Sequence, residues 1–153
     1  MNFVKKALKN ERGMTLIELL AVVVILGIIA AIAIPSIGGL IDNTKKDAHV
    51  ANAQQMVSSA KIWVTGNANS HDFKTAKVLP LKELYSEDLI DEMKDPDKGT
   101  YNVETSNVTI AKVADKNSFT YTVTLTNGTR GVFDVVATDL DRNSVVKAGT
   151  VKK

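Results

Sequence analysis

Glu18 is the residue with the largest chemical consequence in this sequence. Residues 14–34 are apolar apart from Thr15 and Glu18, and a lone carboxylate in hydrocarbon costs several kcal/mol, about 3 on insertion-based scales. Such a group must be neutralised or paired. Met14 lies four residues upstream. A cut between Gly13 and Met14 would free an ammonium group there, on the same chain or on a neighbour, able to meet Glu18. A buried pair of this sort serves better as a registration device than as a source of stability. The remaining chemically competent residues form weaker sets. Asp139-Leu140-Asp141-Arg142-Asn143 alternates oxygen donors like the start of a calcium loop. Ser144 stands where that loop needs glycine, no glutamate occupies the distal position, and the spacing equally suits a solvated turn. Asp95 and Asp97 are a lesser calcium candidate. His49 and His71 are isolated in sequence; His49 is expected on a helix, in surface or groove packing, and His71 in a polar loop. Lys147, Lys152 and Lys153 make a basic tail, which could touch phosphates or simply solubilise a terminus. Asn127-Gly128-Thr129 has the form of a glycosylation sequon, and its Asn-Gly pair that of a hairpin turn. No phosphate loop, HExxH or nucleophile elbow occurs. The absence of cysteine removes disulfides, thiolate metal sites and cysteine nucleophiles. Neither a catalytic group nor a cofactor is expected.

The elements that must position these residues follow from hydrophobic period. As a helix, residues 14–34 would span roughly 31 Å, the thickness of a bilayer core. Lys5, Lys6, Lys9 and Arg12 precede it, opposed only by Glu11, which predicts a cytoplasmic N-terminus and an exported C-terminus. The remaining residues are close to neutral, so the pI of about 8.8 reports this leading segment rather than a nucleic-acid-binding face. Beyond Pro35 and Gly38-Gly39 the helical spacing resumes through Ile37, Leu40, Ile41, Thr44, Ala48, Ala51, Met56, Ala60 and Trp63 or Val64, with Gly66-Asn67 as a stop. Residues 15–65 would then be one helix of roughly 75 Å. A loop is expected over 67–79, and a short helical region from Pro80 with Leu81, Leu84 and Tyr85 as its apolar cluster. Ser86 is placed to cap a further turn carrying Leu89, Ile90 and Met93, and Asp95-Pro96-Asp97-Lys98-Gly99 reads as a turn. Strands are expected over 100–104, 108–113, 118–126, 130–137 and, more weakly, 144–146.

Gly13-Met14-Thr15-Leu16-Ile17-Glu18, after a short basic leader and before the apolar run that ends Ala33-Ile34-Pro35, closely resembles the class III signal of type IV pilins and type II secretion pseudopilins. The resemblance implies an α+β, pilin-like fold, with a long N-terminal helix packed against a small antiparallel sheet. It implies cleavage after Gly13 by a membrane prepilin peptidase, N-methylation of Met14 by the same enzyme, and docking into a filament guided by Glu18 and Thr15. Family members commonly carry phenylalanine where this chain has Met14. The helix between Gly27 and Pro35 is expected to break or loosen within the filament, where Pro35 cannot donate to the Ala31 carbonyl. The divisions are a leader (1–13), a transmembrane and filament-core helix (14–35), an amphipathic second half (36–66) and a globular head (67–153).

The implied partners are further copies of the chain, the prepilin peptidase and methyltransferase, an assembly platform protein with minor pilins, and the lipid bilayer. DNA would join them if the filament served competence. The implied location is a single-pass cell-membrane protein before assembly and a surface filament after it. Two other readings share these residues. Ala31-Ile32-Ala33 has the small-x-small form of an ordinary signal peptidase site, which would release the chain from Ile34 onward as a binding domain. A plain uncleaved anchor would need no processing. Both leave Glu18 unexplained.

Overall fold

In the computed structural model of this chain, the described residues are 15–67, 73, 75–114, 116 and 118–150. They form helix α1 (Leu16–Asn67), strand β1 (Lys77–Pro80), helix α2 (Leu81–Ser86), strands β2 (Asn107–Lys112), β3 (Phe119–Thr126) and β4 (Arg130–Val136), 3-10 turns at Ala137–Asp139 and Arg142–Ser144, and strand β5 (Val145–Lys147). The fold class is α+β and pilin-like: a long N-terminal helix followed by one antiparallel sheet of five strands in the order β1-β2-β3-β4-β5. The chain divides into two compact units with the boundary between Ile41 and Asp42. Residues 36–41 lie in the first unit.

In the first unit α1 is unbroken. Gly27 and Pro35 both lie inside it, so the break expected at these positions is not a feature of the single chain. Proline removes one helical donor, and the surrounding turns hold the helix across the gap. Among the described residues this helix is the one long and apolar enough to cross a membrane. Its large side chains face outward: Leu16, Ile25, Ile32 and Leu40 are 87, 57, 71 and 65% exposed.

The second unit builds its own core. From α1 it takes His49, Val50, Ala53, Met56, Val57, Ala60, Trp63 and Val64. The steps from 49 through 53, 56, 60 and 63 are the four-three alternation of a helix face. Ala48 is only half-buried and Ala51 is exposed. The observed face is thus shifted from the expected stripe through Ala48 and Ala51 and takes in His49, expected in surface or groove packing. Against this face pack Leu79 of β1, Leu81 and Leu84 of α2, and Val108, Ile110, Val123 and Leu125 of β2 and β3. Fully burying side chains of this kind stabilises by about 1.5–3 kcal/mol each.

Two strand assignments change. Residues 77–80 form β1, paired Lys77↔Ile110 through Pro80↔Asn107, rather than loop. The strand buries only Leu79 fully, too short an alternation to read from sequence, and Pro80 sits at its end on a sheet edge, where a missing N–H is tolerated. Residues 100–104 are not a strand. Asn102 turns its Oδ1 to accept from the Glu104 and Thr105 amides at 3.0 and 3.1 Å, and its carbonyl accepts from Ser106 N. A local turn thus uses the groups a ladder would need. Nor does Ser86 cap a further turn. It ends α2, and its Oγ donates back to the Glu83 carbonyl at 3.0 Å.

Strand β4 carries valines at 132 and 135, a spacing that alternation alone would put on opposite faces. Pairing runs Val123↔Val135 and then Leu125↔Val132, with a register shift between. The extra residue forms a bulge at Asp134, whose φ is +50° and whose N–H and carboxylate both engage Thr124 Oγ1. Both valines thereby point inward. Just beyond, a Cβ on Gly131 would lie 2.1 Å from the Leu125 carbonyl, so this close approach of β3 and β4 admits only glycine.

Candidate functional site

At the start of α1 the Thr15 amide and hydroxyl both donate to Glu18 Oε2, at 2.7 and 2.8 Å. The Glu18 amide donates back to Thr15 Oγ1 at 3.3 Å. This is a capping box: a threonine and a glutamate three residues apart satisfy each other's otherwise unpaired amides. Among the described residues both side-chain contacts fall on a single carboxylate oxygen. The resemblance pairs Thr15 with Glu18 in docking without indicating this reciprocal bonding; the T-x-x-E signature is the available signal. Gly13 and Met14 lie outside the described residues, as do His71, Lys152 and Lys153.

Residues 8–34 match the family described as the prokaryotic N-terminal methylation motif. The sequence is also 30% identical over 127 residues to the type IV major fimbrial protein FimA of Dichelobacter nodosus, an alignment covering 79% of this chain and 71% of that one. This chain belongs to the type IV pilin family. No solved structure matches it. As a pilin it is a structural subunit, and the unit from Asp42 onward is its head.

The pilin head contains a polar network that the sequence did not reveal. His49, read as isolated, is fully buried. Its Nδ1 meets the Tyr101 hydroxyl at 2.8 Å, and its Nε2 lies 3.0 Å from Asp97 Oδ2 and 3.7 Å from Asp95. Asn52 donates to Tyr101 Oη at 2.9 Å. The relay is complete when Tyr101 donates to Nδ1 and Nε2–H donates to Asp97. Arg130, first residue of β4, forks onto Asp97 through Nε and Nη2, the latter at 2.7 Å. It also reaches Asp42 through Nη1 at 2.8 Å. Lys45 meets Asp97 at 3.3 Å and Lys46 meets Asp42 at 3.1 Å.

The Arg130 fork holds the Asp97 carboxyl far below the usual range, against an opposing effect of burial, and His49 and Lys45 add to the lowering. Asp42 is lowered by Arg130 and then Lys46. Burial pushes Tyr101 up to about 12.

Ligand atoms of His49, Asp95 and Asp97 lie within 4.8 Å of one another, close enough to hold a metal ion. The donors are already engaged. Asp97 faces Arg130 and Lys45, while Asp95 accepts from the amides of Asp97 and Gly99 and from Asn127 Nδ2. A dication would have to displace two cations, so the arrangement suits an ion-pair network better than a metal centre. Its signal in the sequence was the D-P-D turn opposite a helix carrying D-x-x-K-K-x-x-H.

The other calcium candidates are likewise engaged. Asp141 Oδ1 accepts from Ser144 N and Oγ at 2.8 Å each, capping the 3-10 turn. Asn143 donates to Asp141 Oδ2, and Asp139 accepts from Thr138. Arg142 forks onto Asp47 of α1 at 2.7 and 2.6 Å, which lowers Asp47 and raises Arg142.

Proposed function

We propose that this pilin is made as a precursor, cut after Gly13, N-methylated on Met14, and polymerised through residues 14–35 into a surface filament. The observation that carries this reading is the contrast within α1. Its large apolar side chains from Leu16 to Ile41 are exposed, although a head with its own core follows. Apolar surface on this scale requires lipid or protein to cover it. A bilayer covers it before assembly, with the head outside, and the same helix of neighbouring copies covers it in the filament. Glu18 then docks. Thr15 holds one carboxylate oxygen in the capping box, and the carboxylate meets the Met14 ammonium of an adjacent copy, which fixes register. The loosening between Gly27 and Pro35 belongs to that packed state.

The processing enzyme, assembly platform and minor pilins are the partners this route requires. The relative's designation as a fimbrial protein favours a cell-surface filament over a secretion pseudopilus, and DNA would bind only if the filament serves uptake. The mass of the native chain tests the proposal. Loss of residues 1–13 with one added methyl group supports it. A start at Ile34 means ordinary secretion, and retention of residues 1–13 removes the docking amine. A deletion strain scored for adhesion, motility, DNA uptake and secretion assigns the role.

A further inference from the structure

We infer that Asn127 is a guarded deamidation site, whose reaction the folded hairpin suppresses and whose product the head cannot accommodate. Asn-Gly is chemically the most labile asparagine pair, because glycine offers no side chain to obstruct attack. The Gly128 nitrogen attacks Asn127 Cγ, the bond from Cγ to Nδ2 breaks, ammonia leaves with the displaced proton, and a cyclic imide forms. Water then opens the imide to aspartate or isoaspartate. One water is consumed and one ammonia released, with no oxidant, reductant or cofactor.

The fold engages each reacting group. Asn127 Oδ1 accepts from the amides of Thr129 and Arg130, both at 2.9 Å. Its Nδ2 donates to Asp95 Oδ2 at 2.8 Å. The attacking amide of Gly128 donates to Thr126 Oγ1 at 3.1 Å, and Gly128 is fixed at φ +86°. This is the pattern of a hairpin turn whose first central residue is glycine. Attack requires these bonds to open together.

The product is the second half of the inference. Conversion of Asn127 to aspartate removes the amide donor that Asp95 uses and sets a second carboxylate against one whose side chain is wholly buried. Two carboxylates at that separation cannot both stay ionised without cost. Asp95 also accepts from the amides of Asp97 and Gly99, so it shapes the turn from which Asp97 reaches Arg130. A change at the hairpin tip therefore reaches the ion-pair network through one side chain. Isoaspartate adds a backbone methylene to the turn that the Asn127 amide closes onto the Arg130 carbonyl. The reaction runs one way: a head that opens here and reacts does not return to its starting state.

The test uses the full chain in detergent, incubated in warm, mildly alkaline buffer either folded or in urea, with deamidation mapped by peptide mass. Reaction at Asn127 slower in the folded chain by on the order of tenfold or more is expected; equal rates overturn the guarding. Asn127→Asp is expected to lower the head's melting temperature by about 5 °C, and Asp95→Asn in the same chain to recover part of that loss. An Asn127→Asp chain that melts with the parent overturns the second half. If that variant does not fold, aged parent protein decides: after refolding from urea, the deamidated fraction must be depleted from the folded pool, and equal partition overturns the inference.

Discussion

Glu18, in the first turn of α1, and Asp97, which meets Lys45 and His49 of that helix, are carboxylates whose surroundings differ in kind. Asp97 meets Arg130, Lys45 and His49 within its own fold. Glu18 meets only Thr15 among the described residues, through one oxygen. An acid met by several partners at home holds a structure together, because a carboxylate in a poorly solvated place is stable only with donors around it. An acid capped on one side, at the end of an exposed apolar helix, suits a bond to another molecule. In the proposed route one carboxylate serves the head and the other assembly, and each predicted substitution tests that division.

The largest expected effect is on assembly. Glu18→Ala should leave membrane insertion and head melting unchanged while filament yield, scored by electron microscopy, falls to background; normal filaments would erase the distinction. Next comes Arg130→Leu, which removes the fork and leaves Asp97 to Lys45 and His49, and Asp42 to Lys46 alone. It should destabilise the head by about 2–4 kcal/mol in thermal unfolding, with assembly impaired only as far as folding fails. Thr15→Ala sharpens the comparison, since it strips the cap but keeps the acid; filament counts should drop part-way between the parent and Glu18→Ala.

A pH series tests the head's side of the comparison. The folded Asp97 carboxyl lies below its unfolded value, so the unfolded state binds the extra proton. Its stabilisation is complete above the unfolded pKa of about 3.9 and is lost as pH falls below it. Tyr101 acts in the opposite sense: raised to about 12, it stabilises below the unfolded value of about 10 and loses that contribution as pH rises toward 12. Head melting should therefore fall at both extremes, with Tyr101→Phe flattening the alkaline limb. Smallest of all, Lys82→Ala breaks a 2.8 Å contact with Glu104 between side chains that are 66 and 67% exposed, and should leave melting unchanged, because such pairs are screened by water.

What could be read from the sequence divides along the same line. The apolar helix, the Gly13/Met14/Glu18 spacing and the alternation of Phe119, Tyr121, Val123 and Leu125 are one-dimensional patterns, and an unaided chain displays them. Helix α1, strands β2 and β3 and the Asn127-Gly128 turn followed from period and turn chemistry. The ion-pair network did not, because it joins residues 42–52, 95–101 and 130, which only folding brings together. His49 shows the mechanism of the miss. Its helical spacing leaves surface and groove packing equally open, and it belongs inside because Tyr101 and Asp97 complete its bonding. The bulge at Asp134 is similar, its cause being the partner strand rather than its own neighbours. Strand β1 was missed for brevity alone.

Chain order and sheet order coincide in this head, and that has a bearing on biogenesis. A polypeptide leaves the ribosome from its N-terminus, so β2 emerges when β1 is already made, β3 when β2 is, and so on through β5. Each strand from β2 onward meets a partner that is already made. From β2 onward each connection is short and closes at small entropic cost, whereas β1 reaches β2 across residues 81–106, which include α2. The sheet can thus be extended one strand at a time, and at each stage a single growing edge awaits the next strand.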